Sequence, residues 1–518
     1  GIALRNDMDG ASPATPNIKP GNDFTYTFSV PHAGTYWAHP HTGLDADYGL
    51  YLPVIIDNPA DPANYDAEWI VVLDDWTSGA GKSPQQIYDG LRAMGGMGHM
   101  GGHDMSGMGD MPMATSALLG GDAGDVKYPY FLANGRIPSA PTVFNAKPGQ
   151  RIRLRIINAG ADTAFRVALA GHRMTVTHTD GFPVDPVEVD ALLLGMGERY
   201  DVVVTAGSGV FPLVAAAEGK DSAARALLST GAGTAPDPAF RPKELTEKVG
   251  TVADFTATPA ADLGPLKPDV ALAAEFTGSM MKYDWGINGR PFDNRQALTV
   301  REGQRATITF ANSTTMWHPM HLHGHAFQVV NLGGRVFAGA VRDTVYLPPM
   351  SMVMMLVLPQ CSPVQRPPIT PPASMQGQSG DAAAKRVGEL CVSLSGANVK
   401  IVFTNEVTLT RDESVRNEWN YMRIVDAKQP RAGVGAEKLT EGGKDIVPWT
   451  ILPDVRPEKG EYALTNEAFC GVPSDKAAEA AHDSTLTPLE LRDLLESGTK
   501  VALIDELKAW TQRNVERT

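Results

Sequence analysis

The sequence is poor in cysteine and has no long apolar segment. Its 518 residues include three cysteines, none in a C-x-x-C pair, so neither a disulfide framework nor a zinc ribbon is predicted. No uninterrupted apolar run reaches the roughly 18 residues of a spanning helix, so no membrane span is expected. A signal peptide is also missing. The chain opens with Gly1 instead of Met, which suggests a mature, trimmed or truncated product.

Basic residues are outnumbered as well. Against 59 Asp and Glu there are 45 Lys and Arg, which gives a formal net charge of −14. No stripe or run of basic residues occurs, so neither nucleic acid nor an anionic membrane is expected as a partner. The chain is too long for one core and suggests about three or four domains.

Histidine is concentrated in two short stretches. Residues 318–325 hold four of the twelve histidines, and imidazole is the commonest protein ligand for copper and zinc. His39 and His41 follow an alternating run at 24–28 that is typical of a strand. Residues two apart on a strand point the same way, so these two rings can face one site. The pattern favours a metal site over an accidental cluster on a solvated loop.

These stretches resemble known copper motifs. Residues 37–43 are similar to the second copper motif of the multicopper oxidases, and residues 318–327 to the third. The resemblance covers about residues 1–352 and points to laccase-like members of the copper-tolerance type. Supporting similarities occur at 74–76, 134–135, 147–150, 288–290 and 342–344.

The resemblance implies a mainly β fold built from cupredoxin-like Greek-key β-sandwich domains. The predicted parts are a truncated first domain (1–58), a second domain (66–240), a third domain (268–356), a proline-rich linker (359–383) and an unrecognised α+β tail (384–518). Within the second domain, residues 150–157 alternate polar and apolar as a half-solvated antiparallel strand does. Strands at 306–310 and 327–332 are expected to flank the connection that holds His318 to His323.

The resemblance also implies a role for each histidine. His318 matches the type 1 copper ligand, His321 a type 2 ligand, and His323, His39 and His41 type 3 ligands, whereas His325 matches a non-ligand position. Type 1 copper takes single electrons from a reductant, and the other coppers collect four of them to reduce O2 to water. The implied enzyme is a laccase-like, copper-dependent oxidoreductase of the periplasm or cell exterior, acting on phenols or Cu(I). Four of these rings, those of His39, His41, His321 and His323, are expected to converge at a domain interface.

The sequence departs from the family pattern at both ends. The first motif, H-x-H-G, would end at Gly1, and the fourth, H-C-H, does not occur after Val353. Cys361 lies between Gln360 and Ser362 and does not fit the missing motif. Five of the family's ten copper-binding histidines are therefore present. Because the cysteine of the H-C-H motif is missing as well, the chain as given is not expected to show laccase turnover even when loaded with copper. The alternative function is a non-catalytic copper-binding module, or an inactive, truncated or chimeric remnant.

A methionine-rich insert at 94–113 interrupts the second domain. Its glycines are expected to exclude a helix, and exposed thioethers are soft ligands that select Cu(I). The insert is predicted to capture copper, with a merely disordered loop as the alternative. Its candidate ligands are Met94, Met97, Met100, Met105, Met108, Met111, Met113, His99 and His103.

Other polar residues are given structural roles. Asp180 and Gly181 are predicted to form a hairpin turn rather than to bind substrate, because Asp-Gly favours such turns. His172 and His178 are expected to be structural.

Overall fold

The computed structural model describes most of residues 1–357 and, beyond them, only separate strands between 389 and 473. The gaps before residue 357 are 5–7, 12–13, 16, 19–22, 29–31, 42, 57, 59–63, 80, 98–113, 232, 280–281 and 302. No helix in these described parts is long and apolar enough to cross a membrane.

Strands dominate the described chain. The first four are β1 (Asp23–Phe28), β2 (Gly34–Ala38), β3 (Leu52–Ile56) and β4 (Ala67–Trp76), and the α-helix α1 (Pro84–Met97) follows them. The next are β5 (Thr115–Ser116), β6 (Gly121–Asp122), β7 (Tyr130–Ala133), β8 (Thr142–Asn145), β9 (Arg151–Asn158), β10 (Phe165–Leu169), β11 (Met174–Thr179), β12 (Phe182–Val189), β13 (Ala191–Leu194), β14 (Arg199–Thr205), β15 (Val210–Ala217), β16 (Ala223–Ser229) and β17 (Val249–Gly250).

The later strands flank the main histidine cluster and enter the tail. Up to residue 357 they are β18 (Val270–Thr277), β19 (Gly286–Ile287), β20 (Ala306–Asn312), β21 (His318–His321), β22 (Phe327–Leu332), β23 (Arg335–Val336), β24 (Val341–Arg342), β25 (Thr344–Leu347) and β26 (Met352–Val357). Those of the tail are β27 (Glu389–Leu394), β28 (Ala397–Phe403), β29 (Val407–Thr408), β30 (Met422–Asp426), β31 (Thr440–Glu441), β32 (Lys444–Asp445), β33 (Tyr462–Thr465) and β34 (Phe469–Pro473). Short 3₁₀ helices span Asp45–Tyr48, Lys243–Thr246, Val252–Asp254 and Phe292–Asn294.

The chain divides into two compact units. The first unit comprises Gly1 and Ala67–Cys361, and the second comprises Ile2–Asp66 and Ser362–Thr518. Apart from Asp66, the domains predicted at 66–240 and 268–356 both fall within the first unit, and their boundaries stay a prediction.

Three large sheets build the first unit. Two have six strands each, in the orders β17-β13-β10-β15-β16-β8 and β12-β11-β14-β9-β4-β7. The third has seven strands, with β19-β18-β20-β26-β22-β23 in order and β24 paired to β22, and β21 pairs with β25 beside it. Trp69 stacks on Phe144 with ring centroids 5.1 Å apart, and both side chains are buried. The mainly β class predicted from the sequence is confirmed.

Strand β9 corrects one expectation from the sequence. It is buried after its first residue, and it pairs parallel with β4 as well as antiparallel with β14, so it is not a half-solvated antiparallel strand. Its polar positions are buried because they carry ion pairs: Arg155 bonds Glu68 at 2.7 Å and Asp201 at 2.9 Å. Binary patterning cannot distinguish a solvated arginine from one with buried carboxylate partners.

Helix α1 corrects a second expectation, that the glycines of the methionine-rich insert exclude a helix. It runs to Met97, so the first four residues of the methionine-rich insert are helical despite Gly95 and Gly96. The N-terminus of the helix is capped, because the Ser83 N–H donates to Gln86 Oε1 at 2.9 Å and the Gln86 N–H donates to Ser83 Oγ at 3.2 Å. Such a reciprocal cap offsets part of the cost of glycine, about 1 kcal/mol each. The rest of the insert, 98–113, lies outside the described residues.

The second unit holds the other histidine motif. Within it β2 pairs antiparallel with β3, and β3 pairs parallel with β30. In the tail, the apolar run at 399–403, which predicts a strand, forms part of β28. The predicted linker at 359–383 lies outside the described residues. So do two tail segments whose sequence predicts helices, 487–495, which opens with a capping box, and 505–513.

Candidate metal centre

Strand β21 carries two of the candidate ligands, one at each end. It pairs antiparallel with β25, with His318 opposite Leu347 and His321 opposite Thr344. The connection between β20 and β22 therefore contains a short strand, which the sequence did not predict. Because residues three apart on a strand point to opposite faces, His318 and His321 face different surroundings.

His318 lies in an aromatic environment. Its ring meets Phe276 and Trp285 edge-on, with centroids 5.8 and 5.6 Å away. Its Nε2 is 2.7 Å from Thr314 Oγ1. The Thr314 hydroxyl has one proton, which it donates to Asn312 Oδ1 at 2.7 Å or the Met316 carbonyl at 3.0 Å. With its proton in either of these bonds, the hydroxyl accepts from His318 Nε2, an arrangement that leaves Nδ1 to bind metal.

His321 has the opposite tautomer. Its Nδ1 is 2.9 Å from the Asp343 carbonyl oxygen, which can only accept, so Nδ1 carries the proton and Nε2 is the ligating nitrogen. The ring centroids of His321 and His323 lie 4.8 Å apart. His325 Nδ1 donates to the His323 carbonyl at 3.2 Å. Two candidate ligands are thus adjacent, and the predicted non-ligand packs against their backbone.

The two rings on β21 are held in the neutral form that binds metal. Burial lowers the pKa of His318. Burial likewise lowers the pKa of His321, although the neighbouring Asp343 acts in the other direction. Neutral imidazoles do not repel an incoming cation, and they offer a lone pair at any pH above their pKa.

His39 and His41 lie in the second unit, just beyond the end of β2. Their ring centroids are 4.8 Å apart, and His39 stacks on Trp37 with centroids at 4.1 Å. The structure therefore brings together the two rings of each motif. The two motifs belong to different compact units, and the convergence of His39, His41, His321 and His323 stays a prediction.

A buried ionic cluster beside His321 was not recognised from the sequence. It comprises Asp180, Glu198, Arg199, Arg342 and Asp343, each at most 1% exposed. Burial alone would raise the pKa of Asp343, but the Arg199 guanidinium holds it well below its usual range. The Arg-Asp pair at 342–343 was noted as a family similarity, and nothing local to residues 198–199 signals their part.

The turn at Asp180-Gly181 and the residue Gly1 both contact this ionic cluster. Asp180 and Gly181 form the predicted hairpin turn between β11 and β12, both with positive φ, 48° and 91°. The Asp180 side chain is fully buried, so it is not exposed to a substrate. Gly1 packs so closely against Asp343 and Arg199 that a Cβ atom there would overlap the Asp343 carboxylate. Any other residue there would force the Asp343 carboxylate to move.

The remaining predicted residues have simpler roles. His172 Nδ1 donates to the Ala170 carbonyl at 2.8 Å, and its Nε2 accepts the Gly207 N–H at 3.0 Å, which is a structural arrangement. In the part of the chain that the structure describes, no three or more His, Cys, Asp or Glu side chains form a group that could hold a metal. The donors that are present, paired imidazoles, fit copper by their chemistry.

Comparison with known proteins identifies the family. Three family models, each described as multicopper oxidase, match residues 67–233, 265–360 and 1–61. The multicopper oxidase MmcO of Mycobacterium tuberculosis (strain ATCC 25618 / H37Rv) is 61% identical over 358 residues, 69% of this chain and 70% of that protein. The chain belongs to the multicopper oxidase family of copper-dependent oxidoreductases, and copper is its cofactor.

More distant relatives include proteins named for copper resistance and for laccase. A copper resistance protein A homolog of Pseudomonas syringae pv. tomato (strain ATCC BAA-871 / DC3000) is 26% identical over 460 residues, 68% of this chain and 77% of that protein. Laccase-2 of Botryotinia fuckeliana is 29% identical over 366 residues, 62% of this chain and 58% of that protein. The family assignment agrees with the mainly β, cupredoxin-like fold predicted from the sequence.

Proposed function

We propose that the protein oxidises phenols or Cu(I) by one-electron steps and passes the electrons to O2, which is reduced to water. The proposed ligands are His318 for type 1 copper, His321 for type 2 copper, and His323, His39 and His41 for type 3 copper. Bound copper supplies the one-electron redox chemistry that protein side chains lack.

The arrangement of β21 is the observation that supports this proposal most. The strand holds His318 on an aromatic face and His321 on a polar face, three residues apart. The two proposed kinds of copper site would thus be joined by a few bonds of one strand. Hydrogen bonds to Thr314 and to the Asp343 carbonyl fix which nitrogen each ring offers, so both ligands are preorganised before copper binds.

The methionine-rich insert supports Cu(I) as one of the substrates. We propose that its seven methionines and two histidines, at the positions given above, capture Cu(I) through soft ligands. The relatives named for copper resistance are in keeping with this, and those named laccase are in keeping with a phenolic substrate. We also propose that the protein acts in the periplasm or outside the cell.

Oxygen consumption tests the proposed function. Purified protein is loaded with copper, and O2 uptake is followed with a phenolic dye and separately with Cu(I), while the visible spectrum is recorded. Substrate-dependent uptake that His318→Ala abolishes would support the proposal. It would also show that ligands other than the five histidines complete the copper sites, because the sequence has no H-C-H motif. His325→Ala is the matched control, because it removes a ring of the same stretch that is not a proposed ligand.

The substrate is assigned with a second variant. Changing Met100, Met105 and Met108 to Leu keeps side-chain volume and removes the sulfur. We expect slower oxidation of Cu(I) and unchanged oxidation of the dye. Copper that binds tightly without any O2 uptake would instead establish the alternative, a copper-binding module.

A further inference from the structure

One carboxylate joins two segments of the first unit that are far apart in sequence. Asp180 Oδ1 accepts the Arg199 N–H at 2.8 Å. Its Oδ2 accepts from three consecutive residues around Asp343: the Arg342 Nε–H at 3.3 Å, the Asp343 N–H at 3.2 Å and the Thr344 N–H at 3.0 Å. Asp180 therefore fixes the path of the backbone from 342 to 344.

Arg199 holds the Asp343 side chain just as firmly. Its Nη1 donates to Asp343 Oδ1 at 2.5 Å and its Nη2 to Oδ2 at 2.6 Å, a two-bond geometry that a planar guanidinium favours. Its Nη2 also donates to the Asp180 carbonyl at 3.1 Å. Asp343 is thus fixed at its backbone by Asp180 and at its carboxylate by Arg199.

The fixed residue is the one that orients His321. The Asp343 carbonyl accepts from His321 Nδ1 at 2.9 Å, and its Oδ1 lies 3.4 Å from the same nitrogen. Displacing the backbone at Asp343 would let the ring rotate or exchange its proton between the two nitrogens. The tautomer of His321 therefore depends on groups that do not touch it.

Stability alone is a poor explanation for this arrangement. Desolvating charged groups costs several kcal/mol each, and apolar replacements of a buried ion pair are often neutral or stabilising. An apolar residue at 180 would, however, provide no acceptor for the three N–H groups of residues 342–344. The ionic cluster instead orients the Asp343 carbonyl toward His321 Nδ1.

We propose that Asp180 and Arg199 are positioning residues for copper binding at His321. They hold Asp343 so that its carbonyl keeps the His321 proton on Nδ1 and directs Nε2 to the metal. The inference rests on the proposed function only in taking His321 as a copper ligand.

The first test needs no copper. The protein is labelled with ¹⁵N-histidine, and the His321 signals are assigned by comparison with His321→Ala. We expect the Nδ1–H tautomer in the unmutated protein. In Asp180→Asn, where one carboxylate oxygen becomes an N–H donor facing other donors, we expect a mixture of tautomers. Glu218→Gln is the matched control, since it alters another buried carboxylate that binds Arg166 through two bonds and has no contact with Asp343.

The second test measures Cu(II) affinity by competition with a chelator, together with the electron paramagnetic resonance spectrum of the bound Cu(II). Loss of an outer partner of a metal ligand lowers affinity by about 10- to 100-fold, and we expect a loss of this size in Asp180→Asn. Arg199→Lys keeps the charge but cannot make two parallel bonds, so it should act in the same direction and serves if Asp180→Asn does not fold. Glu218→Gln should keep the affinity and the spectrum.

Two results would overturn the inference. One is an unchanged tautomer and Cu(II) affinity in both cluster variants, and the other is an equal change in Glu218→Gln. If His321→Ala leaves Cu(II) binding intact, the proposed function of that residue fails, while the tautomer measurement still decides whether Asp180 orients the ring.

Discussion

Glu198 is a carboxyl group whose protonation is set by burial. The side chain is fully buried, and burial raises the pKa to about 7, although Arg342 lies 2.9 Å away and acts in the other direction. The folded protein therefore binds this proton more tightly than the unfolded chain, whose pKa is near the ordinary value of 4.5. The resulting contribution to stability is fully present below pH 4.5 and is lost as pH rises through about 7.

Glu198→Gln should remove that pH dependence. As pH rises from 4.5 to about 7, the free energy of unfolding of the unmutated protein should fall by roughly 3 kcal/mol more than that of the variant, at about 1.4 kcal/mol per pKa unit. Urea denaturation at a series of pH values measures it. Glu247→Gln, at an exposed side chain, is the control. Parallel pH curves for Glu198→Gln and the unmutated protein would contradict the prediction.

Strand β9 shows how one element can carry buried charge. Arg155 is 1% exposed and bonds both Glu68 and Asp201. Arg155→Met would leave these two carboxylates without one of their cations. Breaking a buried ion pair in this way costs about 3 to 5 kcal/mol, so we expect a loss of that size in the free energy of unfolding, measured with urea.

The same strand offers a matched control. Arg151, at the exposed start of β9, can be changed to Met with an expected effect within about 0.5 kcal/mol. Similar losses for both variants would mean that β9 is sensitive to any change of arginine. The buried ion pairs would then contribute no more to the free energy of unfolding than the exposed arginine does.

At the scale of the whole molecule, copper should stabilise the folded protein. A ligand that binds only the folded state adds about 2.7 kcal/mol when present at 100 times its dissociation constant. We expect copper to raise the midpoint of thermal unfolding, a chelator to reverse the change, and His321→Ala to abolish most of it.

His325→Ala provides the comparison within the same stretch. His325 donates to the His323 carbonyl and is not a proposed ligand, so its variant should keep the copper-induced shift. A full shift in His321→Ala would show that copper stabilises the protein from sites other than this one.

Features that depend on short segments could be predicted from the sequence. The spacing of histidines at 37–43 and 318–325 indicated copper and the family, alternating runs indicated a mainly β fold, and the pair Asp180-Gly181 indicated a hairpin turn. Each of these follows from rules that act over a few residues, such as side-chain alternation and the preference of glycine for positive φ.

The folded structure was needed to show which polar groups are buried and which residues they contact. Arg199 and Asp343 are 144 positions apart, and Asp180 and Thr344 are 164 apart, yet their contacts fix the ring of His321. Arg153 and Arg155 of β9 likewise alternate as solvated residues do, yet their partners are buried. A charged residue is stable inside a protein only when folding brings its partner to it, and no local pattern records where that partner lies.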